Sequence, residues 1–146
     1  MVRKATGDGV LMEYKSVYTI CPFCGTGCGM LLEVLDGAVE GVLPCKTNPL
    51  SRGKLCIKGW SAHEFIHAKD RLKKPLLRKE GQLREVEWDE ALGFIAARLT
   101  AIREAHGPDA IGGLSSAKCT TEENYLFQKL MRAVIGTNNV DHCARL

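Results

Sequence analysis

The sequence predicts an α+β protein in which a small β-rich domain is followed by the beginning of an α/β domain. The first observation is that residues 16–43 form short extended runs separated by turn residues. The second is that apolar residues after position 88 recur with helical spacing on either side of a short apolar run. Helix, strand and helix in that order are typical of an α/β layer. The expected organisation is an N-terminal extension over residues 1–15, the β-rich domain over 16–70 and an incomplete α/β domain over 71–146.

The β-rich domain is predicted to contain a hairpin. Gly29 to Leu35 is extended in character and leads into Asp36-Gly37, which is a strong two-residue hairpin signal. Ala38 to Leu43 is therefore the expected return strand. Ser16 to Ile20 is a further predicted strand, which precedes the hairpin in the chain.

A loop and a short helix are expected to complete this domain. Pro44 to Gly53 is predicted to be a loop because it contains two breaker pairs, Asn48-Pro49 and Arg52-Gly53. The segment from Lys58 to about His67 is predicted to form a short helix.

The α/β portion is predicted to open with a second hairpin and a long helix. Leu76 to Arg78 and Leu83 to Val86 form the hairpin, which turns near Glu80-Gly81. Asp89 is the expected N-cap of the helix, and His106-Gly107-Pro108 ends it. One face of this helix carries the apolar residues, namely Leu92, Ile95, Leu99 and Ile102.

A strand and a second helix are predicted to follow. Ala110 to Leu114 has the apolar character of a short buried strand. Thr121 to Val134 is the expected helix because its apolar residues recur at steps of four, and Gly136 closes it. The alternation of strand and helix supports an α/β layer.

Composition excludes several functional classes. The chain has 146 residues, 45% of them hydrophobic and 25% charged, which is ordinary globular usage and argues against disorder. No run approaches the roughly 20 apolar residues that cross a bilayer, and a net charge of +3 (20 − 17) gives no argument for nucleic acid. The first 12 residues lack the apolar core of an export signal. We therefore expect a cytoplasmic protein whose cysteines are reduced thiols or metal ligands.

Four of the seven cysteines have the spacing of a metal-cluster site. They follow the pattern Cys21-x2-Cys24-x3-Cys28-x27-Cys56. One loop can wrap a cluster and offer three thiolates, and a distant cysteine supplies the fourth; thiolate is the ligand of iron–sulfur clusters. Glycines alternate through the loop and permit close backbone approach. The pattern favours a [4Fe-4S] cluster.

Other interpretations of the cysteines and histidines remain open. A structural zinc site would pair two short knuckles, whereas Cys56 has no close partner in sequence. The isolated Cys45, Cys119 and Cys143 are expected to be small buried hydrophobes. His63 and His67 stand four residues apart, which could suit a metal, but a partly exposed helix face explains them without one.

The cysteine loop and several other segments of the sequence resemble the N-terminal iron–sulfur portion of molybdenum- and tungsten-dependent oxidoreductases that carry two pterin guanine dinucleotides. The resemblance begins with ICPFCGTGCG at residues 20–29 and GKLCIKG at 53–59. It continues through WDEAL at 88–92, GPDAI at 107–111 and ENY at 123–125. RAVIGTNNVDHCARL at 132–146 is similar to the catalytic (alpha) subunit of formate dehydrogenases and is the most discriminating stretch, and together the segments cover about residues 16–146.

The resemblance implies a set of site residues and cofactors. The cluster ligands map onto Cys21, Cys24, Cys28 and Cys56. Lys58 matches a lysine between the cluster and the pterin, where its charge helps electrons to cross. Lys118 stands where the family often has arginine, which leaves its cofactor role open. The complete enzyme would interconvert formate and carbon dioxide at a Mo- or W-bis(molybdopterin guanine dinucleotide) centre and pass electrons through the cluster.

The same resemblance implies partners and an incomplete catalytic centre. The partners would be the remainder of the catalytic subunit and either iron–sulfur electron-transfer subunits or a ferredoxin- or NAD(P)-linked protein. A selenocysteine or cysteine that binds the metal is expected directly after Leu146, followed by a catalytic histidine, so no catalytic residue is expected here. Selenocysteine is favoured because its codon, UGA, is conventionally read as a stop. The 146 residues alone are expected to be inactive.

Two alternative functions are a free-standing small [4Fe-4S] electron carrier and a fragment of a periplasmic-nitrate-reductase-like subunit. Such reductases have a similar cysteine pattern but typically read Asn-Ala-Arg where this chain has Cys143-Ala144-Arg145. A zinc-binding interaction module is a further possibility, which iron and sulfide analysis would distinguish.

Overall fold

The computed structural model describes residues 2–5 and 11–143, which form two compact units. The first unit contains the described residues up to Arg71 together with Lys118–Thr120. The second contains Leu72–Ala117 and the described residues from Thr121 onward. The chain is thus mixed α and β, with a β-rich first unit, as the sequence predicts.

The first unit is built on a four-stranded antiparallel sheet with strand order β1-β2-β3-β4. Its strands are β1 Val2–Ala5, β2 Leu11–Ile20, β3 Gly29–Leu35 and β4 Ala38–Pro44. The predicted turn at Asp36-Gly37 is confirmed, because both residues have positive φ, +47° and +85°. The Asp36 carboxylate also accepts a 2.8 Å hydrogen bond from the Glu13 amide. Strand β2 begins at Leu11, five residues before the predicted start at Ser16.

The predicted helix from Lys58 to His67 is wrong in length. Helix α1 spans only Ile57–Trp60, and the chain then continues as successive turns. Bonds between residues three apart, such as Glu64 N to Ser61 O at 3.1 Å, replace the helical pattern. These turns place Ala62 in the apolar core of the unit.

The described residues of the second unit form a hairpin, four helical segments and a parallel strand pair. Strands β5 Leu76–Lys79 and β6 Gln82–Glu85 form the predicted hairpin. The remaining elements are α2 Trp88–His106, a 3₁₀ turn Pro108–Ala110, β7 Gly113–Ser116, α3 Thr121–Lys129, a π-helical turn Leu130–Ile135 and β8 Val140–Cys143. Strands β7 and β8 pair in parallel, which is the pairing expected at the start of an α/β layer.

Three local expectations in this unit are corrected. Helix α2 begins at Trp88 after Glu87, so Asp89 lies in the first turn and is not the N-cap. The strand expected over residues 110–114 is β7, shifted toward the C-terminus because Pro108–Ala110 forms the 3₁₀ turn. The second helix changes to π geometry at Leu130, and Gly136 ends it with a left-handed φ of +92° as predicted.

Close packing holds α3 and the π-helical turn against β7. A Cβ at Gly113 would lie 2.9 Å from the Phe127 ring and 3.1 Å from Met131 Cε, so a side chain at this position would collide with both. Met131 and Ile135 are buried. In the part of the chain that the structure describes, no helix has the length and apolarity required to cross a membrane.

Candidate metal centre

The structure brings the four predicted cysteines together in the first unit. Cys21, Cys24 and Cys28 lie in the loop between β2 and β3, and Cys56 directly precedes α1. Burial raises the pKa of the Cys28 thiol above its ordinary value, and the negative charge of each of the other three thiolates raises it further. Mutual repulsion of this kind requires proximity, so the four sulfurs share one electrostatic environment.

The loop is closed at its base by the sheet. Ile20 and Gly29 are the last residue pair between β2 and β3, and the Cys21 amide donates a 2.9 Å hydrogen bond to the Cys28 carbonyl. Gly27 takes a φ of +71°, which turns the chain toward Cys28. The first and third loop cysteines are therefore held opposite each other by backbone bonds.

Apolar side chains surround this part of the site. Cys21 belongs to a buried cluster with Met30, Val42 and Ala62. Cys28 packs against the same cluster, together with Phe23, Leu32 and Leu55. An apolar wall of this type limits water access and tunes the potential of a bound cluster.

The thiols of Cys24 and Cys56 both have a pKa below the ordinary value. A hydrogen bond with the Thr26 hydroxyl, at 3.3 Å, is the largest cause that lowers the pKa of Cys24, followed by the Thr26 amide. The pKa of Cys56 is lowered chiefly by hydrogen bonds from the Gly59 amide and then the Lys58 amide. Both thiols are therefore biased toward the thiolate, the form that binds metal.

Two lysines add positive charge at the same place. The ammonium groups of Lys58 and Lys118 both contribute to lowering the pKa of Cys24. Lys118 belongs to the first unit as part of the segment Lys118–Thr120, although the residues that flank this segment, Ala117 and Thr121, belong to the second. The structure thus supplies a location for Lys118, whose role the sequence left open.

The residues present fit a four-iron cluster. Among residues 2–5 and 11–143, no three His, Cys, Asp or Glu side chains are close enough to share one metal ion. A [4Fe-4S] cluster does not need that arrangement, because each cysteine binds a different iron. Four thiols that share one electrostatic environment, an apolar wall and two nearby cations are compatible with such a cluster.

The other cysteines and histidines have different surroundings. Cys45 is buried, as expected, and its sulfur lies 3.2 Å from Thr47 Oγ1. Cys119 is a half-buried free thiol, whereas the side chain of Cys143 lies outside the described residues. His67 is exposed and its Nε2 accepts a hydrogen bond from the Val39 amide at 3.3 Å, while His63 is half-buried; neither lies on a helix.

Sequence reasoning missed one residue of this site, Asn48. It is only 5% exposed, and its side-chain amide bonds to the Gly27 carbonyl at 3.4 Å, next to Cys28. The Asn48-Pro49 pair predicts a loop, and the loop is present. The pair carries no signal that the asparagine folds inward and contacts a loop 21 residues earlier.

Comparisons with known proteins identify two family domains in the chain. The family profile of the molybdopterin oxidoreductase Fe4S4 domain matches residues 14–68, and that of molybdopterin oxidoreductase matches residues 71–146. The chain is 55% identical over 135 residues to the F420-dependent formate dehydrogenase 1 subunit alpha of Methanococcus maripaludis. It is 52% identical over 135 residues to the F420-dependent formate dehydrogenase subunit alpha of Methanocaldococcus jannaschii. Each match covers 92% of this chain and 19% of the relative, so the chain spans about a fifth of their length.

A solved structure shares the fold. Acetylene hydratase from Pelobacter acetylenicus superposes with a TM-score of 0.58 and 24% identity. The match covers 88% of this chain and 18% of that one. Because the two family profiles together span residues 14–68 and 71–146, the chain belongs to the molybdopterin oxidoreductase family, with an Fe4S4 domain in its β-rich part.

Proposed function

We propose that the chain forms the iron–sulfur part of a formate dehydrogenase alpha subunit, in which Cys21, Cys24, Cys28 and Cys56 bind a [4Fe-4S] cluster. The observation that carries the proposal is the convergence of these thiols in a chain about half identical to formate dehydrogenase alpha subunits. The complete enzyme would convert formate into carbon dioxide, one proton and two electrons, or run the reaction in reverse.

The residues of the first unit would hold the cluster and prepare it for electron transfer. The cluster, when bound, supplies a carrier that takes up and releases one electron at a time. The buried face of Cys21 and its apolar neighbours would keep water from one side of it. Lys58 and Lys118 would stabilise the negative charge that an electron adds, because opposite charges attract each other.

The second unit would contribute to the enclosure of the Mo- or W-bis(molybdopterin guanine dinucleotide). Its match to the molybdopterin oxidoreductase profile supports this assignment. The remainder of the catalytic subunit would supply the other walls of the cofactor pocket and the residue that binds the metal.

The electron acceptor is a separate part of the proposal. Two relatives are named as F420-dependent, which makes coenzyme F420 the first acceptor to test. Iron–sulfur subunits, ferredoxin and an NAD(P)-linked partner are the other candidates. A cytoplasmic location is proposed together with these acceptors.

The decisive experiment measures iron and sulfide in the anaerobically purified full-length protein. The wild type should bind about four irons and four sulfides per chain, the content of a [4Fe-4S] cluster, and show a paramagnetic signal when reduced. Cys56→Ser should lose most of this content, and Cys119→Ser should retain it. Formate should reduce the cluster in the wild type, as followed by electron paramagnetic resonance (EPR). Full cluster content in Cys56→Ser would overturn the ligand assignment, and zinc without iron would overturn the function.

A further inference from the structure

Asn48 contacts the protein on both sides of Cys28. On one side, its Nδ2 donates to the Gly27 carbonyl at 3.4 Å. On the other side, it packs against Gly29 so closely that a Cβ there would lie 2.6 Å from Asn48 Cβ and 2.7 Å from Nδ2. The two neighbours of Cys28 in sequence are thus both fixed by one buried side chain.

The same side chain organises the loop that leads to Cys56. Its Oδ1 accepts hydrogen bonds from the Leu50 amide at 3.0 Å, the Ser51 amide at 2.8 Å and the Ser51 hydroxyl at 3.2 Å. Ser51 is itself buried, and its carbonyl accepts a 2.9 Å bond from the Lys54 amide, two residues before Cys56. The path from Asn48 to Cys56 therefore contains buried, hydrogen-bonded groups.

Strand β2 also helps to hold the side-chain amide of Asn48 in place. Nδ2 also donates to the Tyr18 hydroxyl on β2 at 3.1 Å. The backbone adds two bonds, from the Asn48 amide to Cys45 O at 3.3 Å and from the Arg52 amide to Asn48 O at 3.0 Å. Both the donor and the acceptor end of the amide are used, which no other side chain of this size can reproduce.

We propose that Asn48 is a positioning residue that sets the geometry of Cys28 relative to Cys56, and thereby the retention of the cluster. This inference rests on the proposed function, since it assumes that both cysteines are ligands. Asn48 touches the backbone beside Cys28 and acts through it. Buried side-chain amides that bridge two loops are costly to replace, because the groups they leave behind lose their partners.

The test compares variants of the full-length protein with matched controls. Asn48→Asp keeps the acceptor end but cannot donate to Gly27 O. Gly29→Ala displaces the amide without altering it, whereas Gly41→Ala adds a methyl group 3.8 Å from its nearest neighbour and serves as its control. Asn139→Ala, which removes a 3.0 Å side-chain bond to the Asp109 carbonyl in the second unit, is the control for Asn48.

The measurements are the rate of iron release to a ferrous chelator and the EPR line shape of the reduced cluster. Iron release should accelerate roughly five- to tenfold in Asn48→Asp and Gly29→Ala, the scale of one or two lost hydrogen bonds. The line shape of the retained cluster should also change, which general destabilisation would not produce. The controls should match the wild type in both respects.

Each outcome decides one proposal. Wild-type release rates and line shapes in Asn48→Asp and Gly29→Ala would overturn the positioning role while leaving the cluster assignment intact. If Gly29→Ala does not fold, Tyr18→Phe replaces it and should accelerate release to a smaller extent than Asn48→Asp. A wild-type protein without iron would overturn the proposed function, and the positioning role with it.

Discussion

The two units of the chain differ in the residues that they bury near their loops. In the first unit, four of the buried residues lie in the loops that follow β2 and β4. Each of them is polar or contains sulfur, namely Cys21, Cys45, Asn48 and Ser51. In the second unit the buried hydrophobic residues include Val86, Ala91, Met131 and Ile135. Exposed aliphatic side chains of α2 and the π-helical turn line a groove of about 390 Å³, among them Leu92, Ile95, Leu130 and Val134.

This difference indicates which unit depends on a bound cluster. The metal-free first unit holds thiols whose charges repel, since the thiolates around Cys28 raise its pKa. Binding of metal removes that repulsion, so the free energy of binding adds to the free energy of folding. The second unit contains no such cysteine group among its described residues. The stability of the two units should therefore respond differently to iron.

Removal of iron is the largest test of this comparison. Chelation of the cluster should expose residues 16–60 to proteolysis and hydrogen exchange, because the loops lose the group that links their four thiols. Residues 88–117 and 121–143 of the second unit should keep most of their protection. Hydrogen exchange followed by mass spectrometry, with and without iron, measures both regions in one sample. Equal changes in the two units would show that they unfold together and would break the comparison.

A substitution in the second unit provides the converse test. Thr137 is only 2% exposed, and its hydroxyl donates to the Asp109 carboxylate at 2.6 Å and accepts from the Asn139 amide at 3.2 Å. Thr137→Val keeps the volume but removes both bonds, so it should destabilise the second unit by about 1–3 kcal/mol. Denaturant unfolding followed by a probe in α2 measures this loss. Iron content should remain at the wild-type level, and a parallel fall in iron would contradict independent units.

The sequence predicted the features that depend on local chain geometry. The hairpin at Asp36-Gly37 was predictable because the positive φ values needed there are encoded by the two residues themselves. The grouping of the loop cysteines was predictable because Cys21, Cys24 and Cys28 lie within eight residues, at a spacing that a single loop can present. Neither inference required knowledge of distant contacts.

The features that the sequence did not predict depend on distant contacts. Asn48 contacts Tyr18, 30 positions earlier, and a buried asparagine resembles an ordinary turn residue until that contact is known. Lys118 belongs to the first unit although the residues that flank Lys118–Thr120 belong to the second, and no local sequence pattern indicates this. Strand β8, Val140–Cys143, contains polar residues and becomes a strand because β7 pairs with it in parallel. Long-range pairing of this kind leaves little periodic signal.

Electrostatics in the first unit offers a smaller and sharper test. Lys58→Met should lower the reduction potential of the cluster, because a nearby positive charge favours the added electron. Lys118→Met should act in the same direction and to a smaller extent, in the order of their effects on the pKa of Cys24. Redox titration monitored by EPR measures both shifts at unchanged iron content. Lys15→Met, at an exposed position of β2, is the control. If Lys58→Met and Lys118→Met shift the reduction potential no more than Lys15→Met does, neither lysine belongs to the site.

The smallest effect concerns the thiols before the cluster binds. In the metal-free protein at mildly alkaline pH, iodoacetamide should modify Cys56 and Cys24 before Cys28. A lowered pKa gives a larger thiolate fraction at a given pH, and a raised pKa gives a smaller one. As the pH rises, the alkylation rate of Cys28 should therefore reach its midpoint at a higher pH than that of Cys56. Peptide mapping by mass spectrometry measures each site separately.

Cys45 shows in the same experiment whether the thiol pKa or the burial of the side chain controls the alkylation rate. Its pKa is also lowered, chiefly by the Thr47 hydroxyl, but its side chain is buried. It should remain unmodified while the first unit is folded and react once the protein is denatured. If Cys28 reacts as early as Cys56, the thiols of the metal-free loop are not held in the arrangement that produces their different acidities. The first unit would then acquire its site geometry only on binding iron, and its contrast with the second unit would be larger still.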